Sequence, residues 1–221
     1  MDLVEFWTVC SANGIMIDEE QREQIKRYCK ELIYWNQKVN MISRKDEINI
    51  LDKHILHSMS ILKYYKPKQK AKCVDIGSGG GLPGIPLKIA RPDLDMTLVD
   101  SISKKIKMLK IFASHTGMRN IKAINSRAED LIHNNEFKNK VDVVFARAVA
   151  KITKLYSWVQ PILKQSGEVV LLKGGDLNKE IEETHSLFPH LGIEVFPLDI
   201  FAYPQFSKDN KKLIILRNEK K

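Results

Sequence analysis

Apolar residues in the first seventy positions recur at helical spacing. Asp18 and Gln21 have the spacing of a capping box, and the apolar positions behind them recur every three or four residues, which predicts an amphipathic helix. Those positions are Ile25, Tyr28, Leu32, Trp35 and Val39. Similar patterns predict helices near residues 2–12 and 46–65. Residues 1–70 are therefore expected to form a helical extension.

From Ala71 onward, short apolar runs alternate with helical segments. The predicted strands cover residues 71–77, 95–100, 121–126, 141–147, 168–173, 193–198 and 212–217. The predicted helices between the first six strands lie near 83–90, 102–115, 128–133, 151–164 and 177–187. This alternation predicts an α/β domain over residues 71–221, with a seven-stranded, mostly parallel sheet and helices on both faces. No helix is predicted between the last two strands, so the last strand is expected to be antiparallel.

Glycines follow the first predicted strand in the run DIGSGGGLPGIPL, which starts at Asp75. A strand, a glycine turn and a helix in this order bring backbone N–H groups close to a ligand in α/β proteins. The run has no Lys followed by Ser or Thr after its glycines, which excludes a phosphate-binding loop of the nucleotide triphosphatase type. The turn therefore predicts a nucleotide-like ligand of another kind.

Acidic residues follow the next two strands. Asp100 ends the second strand, where a carboxylate can accept hydrogen bonds from the two hydroxyls of a ribose. Glu129 and Asp130 follow the third strand, where a carboxylate could accept from an adenine amino group. Together with the glycine turn, these acids favour an adenosine without a phosphate, such as S-adenosylmethionine. A dinucleotide remains open, as does a helix-capping role for Asp100.

Composition and charge narrow the choice of partner. The chain has 221 residues, of which 43% are hydrophobic and 29% charged, and its formal net charge is +9. These values describe a globular protein with one sizeable core, and the positive charge favours a polyanion such as RNA. A basic run follows Asp100, with Lys104, Lys105, Lys107 and Lys110. A solvated helix face would explain the same run.

Other features bear on location and metal binding. No apolar run reaches the ~20 residues that span a membrane, and the N-terminal MDLVEFW has no basic segment of a secretory signal. The three cysteines lack metal-ligand spacing and are expected to be free thiols, so we expect a cytoplasmic protein without a membrane partner. His54 and His57 alone would make a poor metal site, and no metal is expected.

Seven motifs, in order, carry a resemblance to a known family. They are YWNQKVNMIS, HILHS, VDIGSGGGLPGIPL, LVDS, NSRAEDL, FARAVA and LLKG, and they span about residues 30–175. In these motifs the chain resembles the Rossmann-like class I methyltransferases, and more closely the bacterial RsmG (GidB) family. Those enzymes methylate N7 of a guanine in small-subunit (16S) ribosomal RNA. One residue departs from the pattern, because His57 stands where the family usually has Asp.

The resemblance implies a site and its partners. S-adenosylmethionine would be bound and converted to S-adenosylhomocysteine, with no metal, and Arg147 would be the catalytic residue. The residues implied for the cofactor are Asp75, Gly77, Gly79, Leu82, Asp100, Ala128, Glu129 and Arg147. Lys104, Lys105 and Lys173 are the expected RNA contacts. The RNA partner would be 16S ribosomal RNA or the small subunit, and the protein is expected to be a monomer with no obligate protein partner.

The sequence around Arg147 agrees with N7 chemistry. Guanine N7 has an in-plane lone pair and no proton, so its methylation needs no general base. The fourth strand ends in FARA, without the Asn-Pro-Pro-Tyr of amino methyltransferases or the Pro-Cys of cytosine-C5 enzymes. Arg147 could bind the donor carboxylate, a phosphate or guanine O6, or could lie on the surface and pair with Asp142 or Glu129. A small-molecule methyltransferase and a non-catalytic, RNA-binding ribosome assembly factor remain open.

Overall fold

The N-terminal helices begin where the capping residues predict. The computed structural model describes residues 1–218. Helix α1 (Leu3–Ala12) starts at Asp2, whose side chain accepts a hydrogen bond from the N–H of Glu5 at 2.8 Å. Helix α2 (Glu19–Asn36) starts with the predicted capping box, in which Asp18 and Gln21 bond each other's backbone N–H. The amphipathic stripe of α2 packs into the core.

The predicted helix over 46–65 is broken into shorter pieces. A 3₁₀-helix (Arg44–Asn49) is followed by a π-helix (Leu51–Leu56) and then by the short helices α3 (His57–Met59) and α4 (Ile61–Tyr64). A π-helix has a wider turn than an α-helix and recurs at functional sites. Apolar periodicity indicates helix here but does not distinguish these helix types.

The sheet has the seven predicted strands. They are β1 (Lys72–Ile76), β2 (Asp95–Asp100), β3 (Ile121–Asn125), β4 (Val141–Arg147), β5 (Leu163–Gly174), β6 (Leu191–Pro197) and β7 (Lys211–Asn218). Their spatial order is β3-β2-β1-β4-β5-β7-β6. Strands β1 to β5 pair in parallel, and β7 lies antiparallel between β5 and β6, which confirms the predicted antiparallel finish.

Helices cover both faces of the sheet. They are α5 (Gly84–Ala90), α6 (Ser103–His115), α7 (Ile152–Val159), α8 (Asn178–Leu187) and α9 (Gln205–Lys208), with 3₁₀-helices at Glu129–His133 and Gln160–Ile162. Two predicted helices are corrected. The segment 128–133 is a single 3₁₀ stretch, and the helix predicted over 151–164 ends at Val159 because β5 begins at Leu163.

The core lies on both faces of the sheet. On one face, Phe6 and Tyr28 of the N-terminal helices share a cluster with Phe145 of β4. On the other face, Val144 of β4 packs with Ile152 of α7, as the two-residue alternation of a strand requires. The N-terminal helices thus complete one face of the sheet. Within residues 1–218, we find no helix of the length and apolar character that a membrane crossing requires.

Candidate active site

The glycine turn after β1 is fixed to the end of β2. The hydroxyl of Ser78 accepts from the N–H of Val99 at 3.0 Å, and the N–H of Ser78 donates to the carbonyl of Val99 at 3.0 Å. Gly77 has a φ of +65°, and a Cβ added there would lie 2.7 Å from Cγ2 of Val149. Glycine is therefore required at Gly77 by backbone conformation and by space.

The carboxylate of Asp100 links the two strands at this edge. Its Oδ2 accepts from the N–H of Gly79 at 2.9 Å, and its Oδ1 accepts from the N–H of Ile102 at 2.8 Å. A carboxylate has about four lone-pair positions, so each oxygen can accept one further hydrogen bond. Asp100 is not the N-cap residue of α6, which is Ile102, but its carboxylate does hold the N–H of that N-cap residue.

A cavity of about 470 Å³ opens above this turn, and we call it the glycine-turn cavity. Its lining includes Gly77, Asp100, Lys105, Ala128, Glu129, Ala148, Val149 and Trp158. Four of the eight residues implied for the cofactor, namely Gly77, Asp100, Ala128 and Glu129, are brought together here. The cavity lies at the carboxyl ends of parallel strands, which is where α/β sheets bind ligands.

The remaining residues implied for the cofactor lie outside this lining. Asp75 is fully buried beneath the turn, where its Oδ2 accepts from the N–H of Gly84 at 3.0 Å. Its Oδ1 has no hydrogen-bond partner among residues 1–218, and burial raises the pKa of this carboxyl to about 7. Leu82 is buried in the core, and the N–H of Gly79 is bonded to Asp100. Asp75 and Leu82 therefore support the turn from behind, whereas Gly79 belongs to the turn and is held there by Asp100.

A second cavity of about 710 Å³ lies beside the first, and we call it the Arg147 cavity. The two cavities share Ala148 and Val149, which follow β4. The Arg147 cavity is lined by charged and aromatic side chains, including Asp46, Lys53, His54, His57, Arg147, Lys173, Tyr203, Phe206 and Lys211. Two cavities that meet at the end of β4 could hold two reactants side by side.

Arg147 is half-buried at this junction. Its Nη2 lies 2.9 Å from Nδ1 of His54, and its Nη1 donates to the carbonyl of Lys53 at 3.4 Å. Arg147 forms no ion pair within residues 1–218, and burial lowers the pKa of its guanidinium. A partly desolvated cation without a carboxylate partner favours an anionic or oxygen-rich ligand.

The interpretation of Arg147 as a surface arginine paired with Asp142 or Glu129 was wrong. Asp142 forms ion pairs with Lys68 and Lys164, each at 2.7 Å. Glu129 lies 3.8 Å from Arg127 instead. Both acids are therefore engaged elsewhere, which leaves the guanidinium of Arg147 to the cavity.

The lysines predicted to contact RNA occupy different places. Lys104 is exposed on the first turn of α6, and Lys105 lines the glycine-turn cavity. Lys173 lies in the Arg147 cavity and forms an ion pair with Glu180. The three lysines thus lie at or near the two cavities.

Sequence reasoning missed three contributors to the site. Tyr28 was predicted only as part of an apolar stripe, yet its hydroxyl donates to the carbonyl of Gly80 at 2.7 Å. Trp158 lines the glycine-turn cavity although it lies far along the chain from the glycines. His54 was considered only as a weak metal ligand, and its contact with Arg147 joins residues far apart in sequence. Among residues 1–218, no group of three or more His, Cys, Asp or Glu is arranged to hold a metal.

Solved structures place this architecture in a known class. A protein called YcgJ from Bacillus subtilis superposes with a TM-score of 0.57 at 16% identity, covering 76% of this chain and 100% of that one. A SAM-dependent methyltransferase from Aquifex aeolicus superposes with a TM-score of 0.53 at 12% identity, covering 72% and 88%. The strand order, the glycine turn and these neighbours define a Rossmann-like fold of the kind that methyltransferases have.

Sequence comparison narrows the class to a family. The profile of the GidB family, rRNA small subunit methyltransferase G, matches residues 21–204, and the chain belongs to this family. The chain is 36% identical to ribosomal RNA small subunit methyltransferase G of Chlorobium phaeobacteroides, over 97% of this chain and 96% of the relative. It is 37% identical to the same-named protein of Chlorobium luteolum, over 94% and 86%. The resemblance found in the motifs is confirmed.

Proposed function

We propose that this protein transfers a methyl group from S-adenosylmethionine to N7 of a guanine in small-subunit (16S) ribosomal RNA. The observation that carries the proposal is the meeting of two cavities at Ala148 and Val149. One cavity presents Asp100, the carboxylate proposed to bind the ribose, and the other presents Arg147, which forms no ion pair within residues 1–218. Membership of the family supplies the substrate class, and N7 is the position that the family's chemistry implies.

The glycine-turn cavity suits the methyl donor. Its volume of about 470 Å³ falls in the range of small-molecule sites. The free lone pairs of Asp100 would accept from both ribose hydroxyls, and Ala128 and Glu129 would meet the adenine. Gly77 keeps the floor open, because a Cβ there would press on Val149. S-adenosylmethionine, when bound, supplies an electrophilic methyl group on a sulfonium.

The Arg147 cavity suits the target base. Guanine N7 would attack the methyl group through its lone pair, the electron pair of the broken C–S bond would stay on sulfur, and no proton would need removal. The residues of this cavity therefore have to orient the base and exclude water. Guanine O6 lies on the same base edge as N7, and the remaining N–H groups of Arg147 would donate to O6. The cation then contacts an acceptor oxygen and leaves N7 free.

The N-terminal extension would build the acceptor side of the site. Residues 1–70 contribute Asp46, Lys53, His54 and His57 to the Arg147 cavity. We propose that the chain divides into this extension and a catalytic domain over residues 71–221. Residues 219–221 lie outside the part that the structure describes. Lys104, Lys105 and Lys173 would contact RNA phosphates. The protein would act as a cytoplasmic monomer, without a metal, on ribosomal RNA or the small subunit.

A labelling experiment tests the proposal. The protein is incubated with methyl-labelled S-adenosylmethionine and small ribosomal subunits that lack this modification, beside naked RNA and reactions without RNA. The labelled RNA is then cleaved chemically at 7-methylguanosine. Label at one cleavable guanosine is the expected result. Label in a small molecule only, or donor and RNA binding without any product, would contradict the proposal and favour the small-molecule enzyme or the assembly factor.

A further inference from the structure

We propose that His54 is a positioning residue that holds the guanidinium of Arg147 in its working orientation. The inference rests on the proposed function, because Arg147 is the group that meets the target base. Nδ1 of His54 lies 2.9 Å from Nη2 of Arg147. A guanidinium has only donors, so Nδ1 must be the acceptor and must carry no proton. His54 is therefore the neutral tautomer with its proton on Nε2.

The surroundings of His54 connect three parts of the chain. Nε2 of His54 lies 3.8 Å from Oδ2 of Asp46, too far for a hydrogen bond, and it has no hydrogen-bond partner within residues 1–218. Asp46 is itself held by Lys53 at 2.7 Å. His54 belongs to the π-helix. The 3₁₀-helix, which contains Asp46, therefore lies on one side of its ring, and Arg147 at the end of β4 lies on the other.

A neutral hydrogen-bond acceptor holds Arg147 without neutralising its charge, whereas a carboxylate partner would neutralise it. The two partners of Arg147 are the ring of His54 and the carbonyl of Lys53, and neither carries a negative charge. They restrict the rotamers of a long side chain without cancelling its charge. The full charge remains available to an oxygen of the bound nucleotide. The π-helix presents the ring and the carbonyl to Arg147 from successive residues.

The charges around His54 agree with a neutral ring. Burial and the nearby cations Arg147 and Lys53 together lower the pKa of His54 to about 4, although Asp46 and Asp52 act in the opposite direction. Protonation at Nδ1 would set an N–H against the N–H of Arg147 and break the contact. The ring therefore stays neutral throughout the pH range in which the enzyme would work.

Two variants separate positioning from a merely structural role. Asn places an amide oxygen near the position of Nδ1, so His54→Asn keeps the acceptor, whereas His54→Phe keeps the ring shape without one. We expect kcat with ribosomal RNA to fall by roughly tenfold to a hundredfold in His54→Phe and to stay within about fivefold of wild type in His54→Asn. The dissociation constant for S-adenosylmethionine and the midpoint of thermal unfolding are measured for each variant. Equal loss of kcat in both variants with unchanged folding would overturn the proposal.

An NMR measurement on the wild-type protein tests the inference independently of activity. Long-range ¹H–¹⁵N correlations of the histidine rings report the tautomer, and the ¹⁵N signals of Arg147 report restricted rotation of its guanidinium. We expect the Nε2–H tautomer for His54 at pH 7 and a loss of that restriction in His54→Phe. An Nδ1–H tautomer would overturn the inference even if RNA methylation is found. Absence of RNA methylation with the expected tautomer would instead contradict the proposed function.

Discussion

Oδ2 of Asp100 accepts a hydrogen bond from the backbone N–H of Gly79 at 2.9 Å. The acid at the end of β2 and the glycine turn after β1 are therefore joined directly. Asp100 is only 7% exposed, and its second carboxylate oxygen is held by the N–H of Ile102. The hydrogen bond from Gly79 thus fixes the orientation of Asp100, which we propose to bind the ribose. The same hydrogen bond also holds the glycine turn in place.

Replacing Asp100 by Asn should weaken donor binding. Asn keeps one oxygen, but its NH₂ group would face a backbone N–H that needs an acceptor. Hydrogen bonds to a charged group contribute about 1.5–3 kcal/mol, so we expect the dissociation constant for S-adenosylmethionine to rise by roughly tenfold or more in titration calorimetry. Asp95→Asn, at an exposed acid at the opposite end of β2, is the control. An unchanged affinity in Asp100→Asn would remove Asp100 from the donor site.

A Cβ at Gly77 should disturb the turn by crowding as well as by strain. Gly77 and Gly117 have similar φ angles of +65° and +69°, but an added Cβ would lie 2.7 Å from Val149 at Gly77 and would meet nothing within 4 Å at Gly117. Gly117→Ala should cost about 1 kcal/mol of stability and leave donor affinity unchanged. Gly77→Ala should lose clearly more stability in urea unfolding and bind the donor more weakly. Equal effects of the two substitutions would contradict the crowding argument.

Local patterns predicted most of the fold. The capping box of Asp18 and Gln21 marked the start of α2, and the apolar runs marked the seven strands, with the largest error at β5, which begins five residues before the predicted 168–173. The glycine turn follows β1 and Asp100 ends β2, so both were predicted to lie at the same edge of the sheet. The carboxyl ends of parallel strands meet at that edge. These features depend on neighbours in the chain, which a sequence displays directly.

Features that depend on tertiary contacts were not predicted. The segment 46–65 has the apolar spacing of one helix, but it forms a 3₁₀-helix, a π-helix and two short α-helices over the site. Asp75 and Leu82 lie in the expected motif, but the way the turn folds places them behind it. The contact of His54 with Arg147 joins side chains on different elements, and no spacing rule indicates it.

Arg147→Ala should abolish methyl transfer while the protein stays folded. The guanidinium forms no ion pair within residues 1–218, so removing it leaves no buried carboxylate without a partner. We expect kcat with small subunits to fall by about a hundredfold or more and the dissociation constant for the donor to stay within about twofold. Arg119→Ala removes an exposed arginine and serves as the control. Near-normal turnover in Arg147→Ala would exclude Arg147 from the mechanism.

Lys104 and Lys105 should contribute to RNA binding through their charge. Each phosphate contact that a lysine makes changes the slope of log affinity against log salt by about one. We expect the slope for ribosomal RNA to become shallower by about that amount in Lys104→Gln and in Lys105→Gln. Lys110→Gln, at an exposed position further along α6, should leave it unchanged. If all three variants give the wild-type slope, the basic run is a solvated helix face.

The buried carboxyl of Asp75 should make stability depend on pH. Burial raises its pKa to about 7 in the folded protein, whereas an unfolded Asp has a pKa of about 3.9. Between about pH 4 and pH 7, Asp75 is therefore protonated in the folded protein and ionised in the unfolded protein. The contribution of this group is therefore greatest below about pH 4 and is lost as the pH rises through 7, by up to about 1.4 kcal/mol per pH unit.

Asp75→Asn should remove this slope, because Asn does not titrate and its oxygen can still accept from the N–H of Gly84. The free energy of urea unfolding is measured for both proteins from pH 5 to about pH 7.5. Other titrating groups, including the buried histidines, are common to both and cancel in the difference. We expect the advantage of wild type over Asp75→Asn to shrink steadily with rising pH. If the two proteins show the same dependence of unfolding free energy on pH, Asp75 is already ionised in the folded state. The carboxylate beneath the glycine turn would then be a buried negative charge.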